Sequence, residues 1–172
     1  MDTFLRSVER PAYRMALMAC RNREDALDLV QDAMCRFVDR YSGKPGEEWK
    51  SLFYTVLHNR IADHLRRRAV RDRLRGWFGL SDDGREEGPE SFPDANSPDP
   101  EREMCLDRAS RALERALEEL PFRQRQAFLL RSREELGVEE TARVMGCSAG
   151  SVKTHCSRAV QALREKLGEH WP

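Results

Sequence analysis

Between Trp49 and Leu65 the apolar residues fall at Trp49, Leu52, Phe53, Val56, Leu57, Ile61 and Leu65. These are the three- and four-residue steps of a single helix face. A strand would need alternation every second residue, and no stretch of any length in the chain has it. The same helical spacing recurs in Phe4, Val8, Ala12, Met15 and Ala16, and again in Ala26, Leu29, Val30, Ala33, Met34, Phe37 and Val38. Asn22 stands where a side-chain cap would start the second helix, with Glu24 and Asp25 at its positive end. Ser42-Gly43-Lys44-Pro45-Gly46 breaks that helix near Tyr41, and a third starts near Glu47.

The predicted fold is therefore all-α. Hydrophobic residues make up 40% of the 172-residue chain and charged residues 35%. That composition suits two small helical domains with thin cores better than one thick core. The breakers cluster between them. Gly84, Gly88, Pro89, Pro93, Pro98 and Pro100 lie among acids from Asp82 to Glu103, with Arg85 and Arg102 the only bases there. We expect a first domain over 1–80, a flexible acidic linker over 81–105 and a second domain over 106–172. Trp77 and Phe78, just before the linker, read either as core or as a patch facing a partner.

The second domain opens with a helix through Leu106, Ala109, Leu113, Ala116, Leu117 and Leu120, which Pro121 ends. A further helix follows with Ala127, Phe128 and Leu130 inward, and Gly137 closes it. The sharpest local signal comes next. Ala142 is small where two helices must cross closely. Gly146 lies four residues on, at a turn that favours positive φ, and Val152 lies six beyond that and can pack back on the first helix. This is helix-turn-helix spacing, with helices expected over about 138–145 and 149–167 and Ser148 capping the second. That second helix would expose Ser151, Lys153, Thr154, His155, Ser157 and Arg158, short polar and basic groups suited to a major groove. The motif narrows function to reading duplex DNA, which many regulators do.

Charge sharpens this. The 30 basic and 30 acidic residues leave a formal net charge of +0. A protein that binds DNA alone and tightly usually has a basic excess, so neutrality argues against a free-standing, non-specific DNA binder. The bases are segregated instead: from Arg60 to Arg75 seven arginines face only Asp63 and Asp72. Asn59, Asp63, Arg66 and Arg67 share one helix face, a basic stripe suited to single-stranded nucleic acid. On the preceding helix Asp28 and Asp32 stand four apart, a like-charge pair that a basic or hydrogen-bonding partner would relieve.

Several functions are disfavoured. Cys20, Cys35, Cys105, Cys147 and Cys156 are odd in number and scattered, without CxxC and without zinc-ligand spacing to a histidine, His155 beside Cys156 included. They read as small, mostly buried residues in a reducing compartment. His58, His64, His155 and His170 read as surface or packing residues, and no cluster has catalytic spacing. No cofactor, metal or catalytic group is expected. The start Met1-Asp2-Thr3-Phe4-Leu5-Arg6 lacks a signal-peptide pattern and no apolar run could span a bilayer, so a cytoplasmic location without membrane insertion is expected.

Taken in order, "DALDLVQDA…RF", "W..LF…..NRIADHLRRR", "LPFRQRQAFLL" and "EETARVMGCSAGSVKTHCSRAVQALR" resemble the extracytoplasmic-function group of the sigma-70 family, over about Thr3 to Leu167 with only the linker unmatched. The resemblance implies a non-enzymatic transcription initiation factor that binds core RNA polymerase and directs it to −35/−10 promoters. It implies that Asp28, Leu29, Gln31, Asp32 and Phe37 dock on the β′ clamp helices, with the β flap as a further contact. Asn59, Arg60, Asp63, His64, Arg66 and Arg67 would capture the −10 element as a single strand, and the loop from Tyr41 to Glu48 would hold a flipped base. Ser148, Ser151, Lys153, Thr154, Ser157 and Arg158 would read the −35 duplex. The linker would thread toward the RNA exit region, its acids mimicking nucleic acid, and an anti-sigma factor would regulate a stress or envelope regulon. Two departures stand out: the Ser42–Gly46 loop follows no recognisable pattern, and Cys156 replaces a longer or apolar residue on the recognition helix.

Overall fold

A computed structural model describes residues 1–77 and 110–168, the side chains of 72 and 74–77 excepted. The expected linker over 81–105, the flank at Trp77-Phe78 and the helix start at Leu106 to Ala109 lie outside the described residues or side chains. All regular structure among the described residues is helical. The helices are α1 (Asp2–Cys20), α2 (Arg23–Tyr41), α3 (Gly46–Trp77), α4 (110–118), α5 (Phe122–Ser132), α6 (Val138–Met145) and α7 (Ala149–Leu167).

Local chemistry sets the helix ends. The Asn22 side chain accepts from the Asp25 amide at 3.0 Å and starts α2, with Glu24 and Asp25 in the first turn. α3 begins at Gly46, one residue earlier than the sequence suggests. At the other end of the chain, Gly146 takes φ 59°, and the Cys147 amide donates back to the Ala142 carbonyl at 3.0 Å. Ser148 Oγ accepts from the Ser151 amide at 3.1 Å and caps α7.

α1, α2 and α3 pack on one another as the N-terminal domain. Its centre is aromatic: Phe37 meets Phe4 at 5.5 Å and Phe53 at 5.8 Å between ring centroids. Ala12, Ala16, Ala26 and Ala33 are fully buried and let the three helices approach closely. In the C-terminal domain α7 packs across α5 and α6. Val152, Ala159, Leu163 and Leu167 of α7 are buried there, with Ala142, Val144 and Met145 of α6 and Ala127, Leu129 and Leu130 of α5. The expected inward set of α5 is adjusted at one position, where Leu129 rather than Phe128 is buried. The two domains touch: α3 packs on α6, and α1 reaches α5.

Candidate nucleic-acid interface

The surface expected to read duplex DNA is the outer face of α7. Ser148, Lys153, Thr154, Ser157 and Arg158 are exposed and Ser151 is half-buried against its capping partner. Among the described residues Lys153 and Arg158 make no ion pair. Their positive charge is available to phosphate or to base edges. Thr154 is satisfied within the helix, its hydroxyl donating to the Gly150 carbonyl at 3.0 Å. His155 turns partly inward, and Cys156 is half-buried with its thiol pushed up by burial against a smaller opposing pull from Arg131. Among the described residues no three His, Cys, Asp or Glu side chains are grouped to hold a metal, and Cys20, Cys35, Cys147 and Cys156 are free thiols.

The α3 surface is different. Asn59, Arg66 and Arg67 are exposed, while Arg60, Asp63 and His64 are half-buried. Arg60 is paired with Asp32 of α2 and lies 3.8 Å from Asp63, which also pairs with Arg66. His64 Nε2 lies 3.7 Å from the Asp25 carboxylate. Asp25 and Leu29 of α2, with Arg60, Asp63, His64, Arg66, Arg67, Val70 and Arg71 of α3, line an open cleft of about 640 Å³. The loop 42–45 that leads into α3 is exposed, and its shape is held by the Trp49 indole N–H, which donates to the Lys44 carbonyl at 2.8 Å.

The α2 surface completes the picture. Asp28 and Gln31 are exposed, with the apolar Leu27 exposed beside them. Asp32 is half-buried and accepts two bonds from Arg36 Nε at 2.9 and 3.0 Å. Burial pushes its carboxyl up, but the bonds from Arg36 and the Arg60 charge outweigh that, so its pKa lies below the ordinary value. The like-charge strain expected between Asp28 and Asp32 is thus relieved from within the chain. Leu29 and Phe37 require a correction. Leu29 is 7% exposed and Phe37 0%, so both belong to the core of the N-terminal domain and shape α2 from behind rather than presenting a docking surface.

The sequence reading missed the residues between the domains. His58 is buried, stacked on Phe122 of α5 and hydrogen-bonded to Gln126, and Lys50 faces Glu134 at 3.6 Å. The Arg60–Asp32 pair was missed too. The one available signal was the i, i+4, i+8 spacing of Lys50, Tyr54 and His58, a mixed face that helical periodicity alone does not assign.

Two family models match the chain: sigma-70 region 2 over residues 1–71 and sigma-70 region 4 over residues 110–163. An RNA polymerase sigma-E factor of Streptomyces avermitilis is 34% identical over 96% of this chain and 84% of its own length. This chain belongs to the sigma-70 family. It is also similar to the ECF RNA polymerase sigma factor SigM of Mycobacterium tuberculosis, 29% identical over 97% of this chain and 76% of that protein. A solved sigma factor, RpoE of Bartonella quintana in complex with the anti-sigma factor NepR, shares the fold. It aligns over 97% of this chain and 98% of its own with a TM-score of 0.70 and 24% identity. As a sigma factor the chain is a transcription initiation factor and not an enzyme. No described helix is long and apolar enough to cross a membrane.

Proposed function

We propose that this sigma factor works through three surfaces in two domains, 1–80 as region 2 and 106–172 as region 4, joined by the acidic linker 81–105. Asp28, Gln31 and Asp32 on α2 dock on the β′ clamp helices of core RNA polymerase, and Leu27 supplies an apolar anchor beside them. Asn59, Arg60, Asp63, His64, Arg66 and Arg67 on α3, with the loop 42–45, take the −10 element as a single strand. Capturing unstacked bases offsets an unstacking cost of a few kcal/mol per base. Ser148, Ser151, Lys153, Thr154, Ser157 and Arg158 on α7 take the −35 element as duplex, with region 4 also contacting the β flap. The protein works in the cytoplasm. It is controlled by an anti-sigma factor, a reading supported by the solved relative, which is in complex with one.

The observation that carries this reading is the contrast in one molecule between a capped helix with free exposed cations, α7, and an arginine-lined cleft on α3. Duplex readout needs the first. Capture of a splayed strand needs the second.

The test is transcription with purified core polymerase on a library of randomised promoters, with and without the protein. We expect initiation to depend on the protein and to select a two-part consensus. Asp28→Arg should abolish polymerase binding, and Lys153→Ala should blur the −35 half alone. Duplex binding by the free protein with no effect on polymerase would replace this reading with that of a stand-alone regulator.

A further inference from the structure

The outer face of α1 is used by none of these surfaces. The inner side of the helix carries Val8, Ala12, Met15, Ala16 and Cys20, all buried. The opposite side carries Arg6, Arg10 and Arg14 at i, i+4 and i+8, and the capping residue Arg21 continues the same row. Arg6, Arg10 and Arg21 are exposed and Arg14 is half-buried. None of the four makes an ion pair among the described residues, and Asp2 and Glu9, the only acids of α1, pair with none of them.

Arg21 is held there against two costs. It ends α1 at φ 54° and ψ 29°, in the left-handed region, where glycine or asparagine sits with less strain. Its charge also lacks an anion. Arg125 of α5 is buried, and burial and the Arg21 charge lower its pKa to about 10, against an opposing pull from Glu118. Backbone strain and like-charge repulsion at one residue, with no gain inside the chain, are what a site for an outside anion would show.

The chemistry of the row narrows its partner. Arginine forks match phosphate bidentately. From Arg6 to Arg21 the row is about 22 Å long at 1.5 Å per residue, the length of about six base-pair steps at 3.4 Å. A protein partner would want an apolar centre, yet the large exposed hydrophobics among the described residues, Leu27 and Val70, are not on α1. A single strand would want exposed aromatics to stack on, and Tyr13, beside the row, is half-buried. Duplex phosphate fits what is left. The position fits too. Arg68 of α3 donates to the carbonyl of Cys20, the neighbour of Arg21, at 2.7 Å, and Arg67, next to Arg68, lines the α3 cleft. The row therefore starts beside that cleft and leads away from it along α1.

We propose that Arg6, Arg10, Arg14 and Arg21 form a phosphate track that holds the backbone of the duplex adjoining the −10 element and reads no base. The proposal rests on the assignment of α3 to the −10 strand. Phosphate contacts position a protein without carrying sequence information, so the track adds affinity to every promoter alike and nothing to the choice among them. A chain with a formal net charge of +0 gains such affinity only by gathering its cations locally, as α1 does.

The test is competition gel shift of promoter fragments by the reconstituted holoenzyme over a range of salt concentrations. Four full-length proteins are compared: the wild type, a triple variant with Arg6→Ala, Arg10→Ala and Arg14→Ala, the matching triple lysine variant, and Arg21→Gly. We expect the alanine variant to lose about tenfold or more in affinity at low salt, and its plot of log affinity against log salt to be shallower by about 2.7, or 0.9 for each of three contacts. The loss should be equal on a consensus promoter and on one with a mutated −35 element. It should vanish on a template that offers the −10 element as a single strand without flanking duplex. Lysine keeps the charge and should restore most of the affinity. Arg21→Gly should weaken binding by about threefold while the melting temperature holds or rises, which a purely structural role for Arg21 would not give. An unchanged salt slope would overturn the track. So would an equal loss on the template without duplex, or weaker binding of the alanine variant to core polymerase in the absence of DNA. Tighter DNA binding by that variant would overturn it as well, by showing that the row holds the chain's own acids. A wild type that binds no fragment in the holoenzyme would instead remove the promoter reading, and the track with it.

Discussion

The two surfaces proposed to take the promoter elements are prepared in opposite ways. On α7 the cations Lys153 and Arg158 stand exposed without ion-pair partners, on a helix fixed by the Ser148 cap and the Gly146 turn. On α3 two of the cations are engaged, Arg60 with Asp32 and Asp63 and Arg66 with Asp63, while Arg67 is exposed and makes no ion pair among the described residues. A rigid surface with free charge suits a duplex, whose groove already has its final shape. A strand that must be unstacked first is better met by charges already held in place, which exchange a carboxylate for a phosphate. Region 4 is thus preformed and region 2 is held in reserve.

The largest test of that contrast is a double charge reversal on α7. Lys153→Glu with Arg158→Glu should weaken promoter binding by the holoenzyme on the order of 100-fold, since each lost contact is worth about 1–3 kcal/mol. Both residues are exposed, so the melting temperature should not move. The loss should vanish on a promoter that lacks a −35 element. An equal loss there, measured by competition gel shift, would show that α7 does not act locally and would break the contrast.

The next effect concerns the rigidity of region 4. Gly146→Val puts a β-branched residue at φ 59°, which should cost about 1–2 kcal/mol. The space is not the problem, because a Cβ there meets nothing within 4 Å; the backbone conformation is. Thermal melting of the C-terminal domain should show the loss, and Gly146→Asn should recover most of it. If valine melts like the wild type, the turn is not what fixes α7.

These two predictions concern the part of the molecule that the sequence made plain, and the reason is range. The spacing of Ala142, Gly146 and Val152 is set by one turn between adjacent helices, so it survives as a local pattern. The caps at Asn22 and Ser148 are local as well, and both form as expected. The helices follow from three- and four-residue periodicity, which needs no tertiary knowledge. What the sequence hid is long-range. Arg60 meets a carboxylate 28 positions earlier, and His58 meets an amide 68 positions later. Neither distance leaves a periodic trace. Leu29 and Phe37 show the same limit from the other side: a resemblance assigns a segment to a partner, but only packing separates the residues that face the partner from those that face the core.

A third prediction uses pH on the contact between the domains at His58. Burial lowers the His58 pKa to about 4, the Arg123 charge adds to that, and the Gln126 amide opposes both. Around the ring stand Phe122, Arg123 and Gln126 from α5 and Tyr54 from its own helix, with Lys50 and Glu134 further along the seam. Once the domains part, His58 regains a value near 6.5. The open form therefore takes up the proton more readily. Closure is fully supported above pH 6.5 and is lost as pH falls toward 4, by up to about tenfold per pH unit. Scattering from pH 7.5 to 5 should show this expansion. His58→Asn, which cannot titrate, should flatten the profile in that range; an unchanged profile would assign the effect to other groups.

The smallest effect separates Asp28 from Asp32 on α2, the helix proposed to face polymerase. Asp32→Asn removes the carboxylate that holds Arg60 and Arg36, whereas Asp28→Asn removes an exposed charge that pairs with nothing among the described residues. Both should weaken docking on polymerase. Only Asp32→Asn should release Arg60 to the cleft, and the free protein should then bind a −10 single strand more tightly, by about 1.4- to 5-fold for a part-exposed pair worth 0.2–1 kcal/mol. Fluorescence anisotropy at low salt resolves that difference, with Asp28→Asn as the reference. Acid cannot imitate the substitution at moderate pH. Arg36 and Arg60 hold the Asp32 carboxyl below its ordinary range, so the pair persists as pH falls to about 4 and is lost only below it. A rise in strand affinity for both variants would mean that general negative charge, rather than the Arg60 pair, keeps region 2 in reserve.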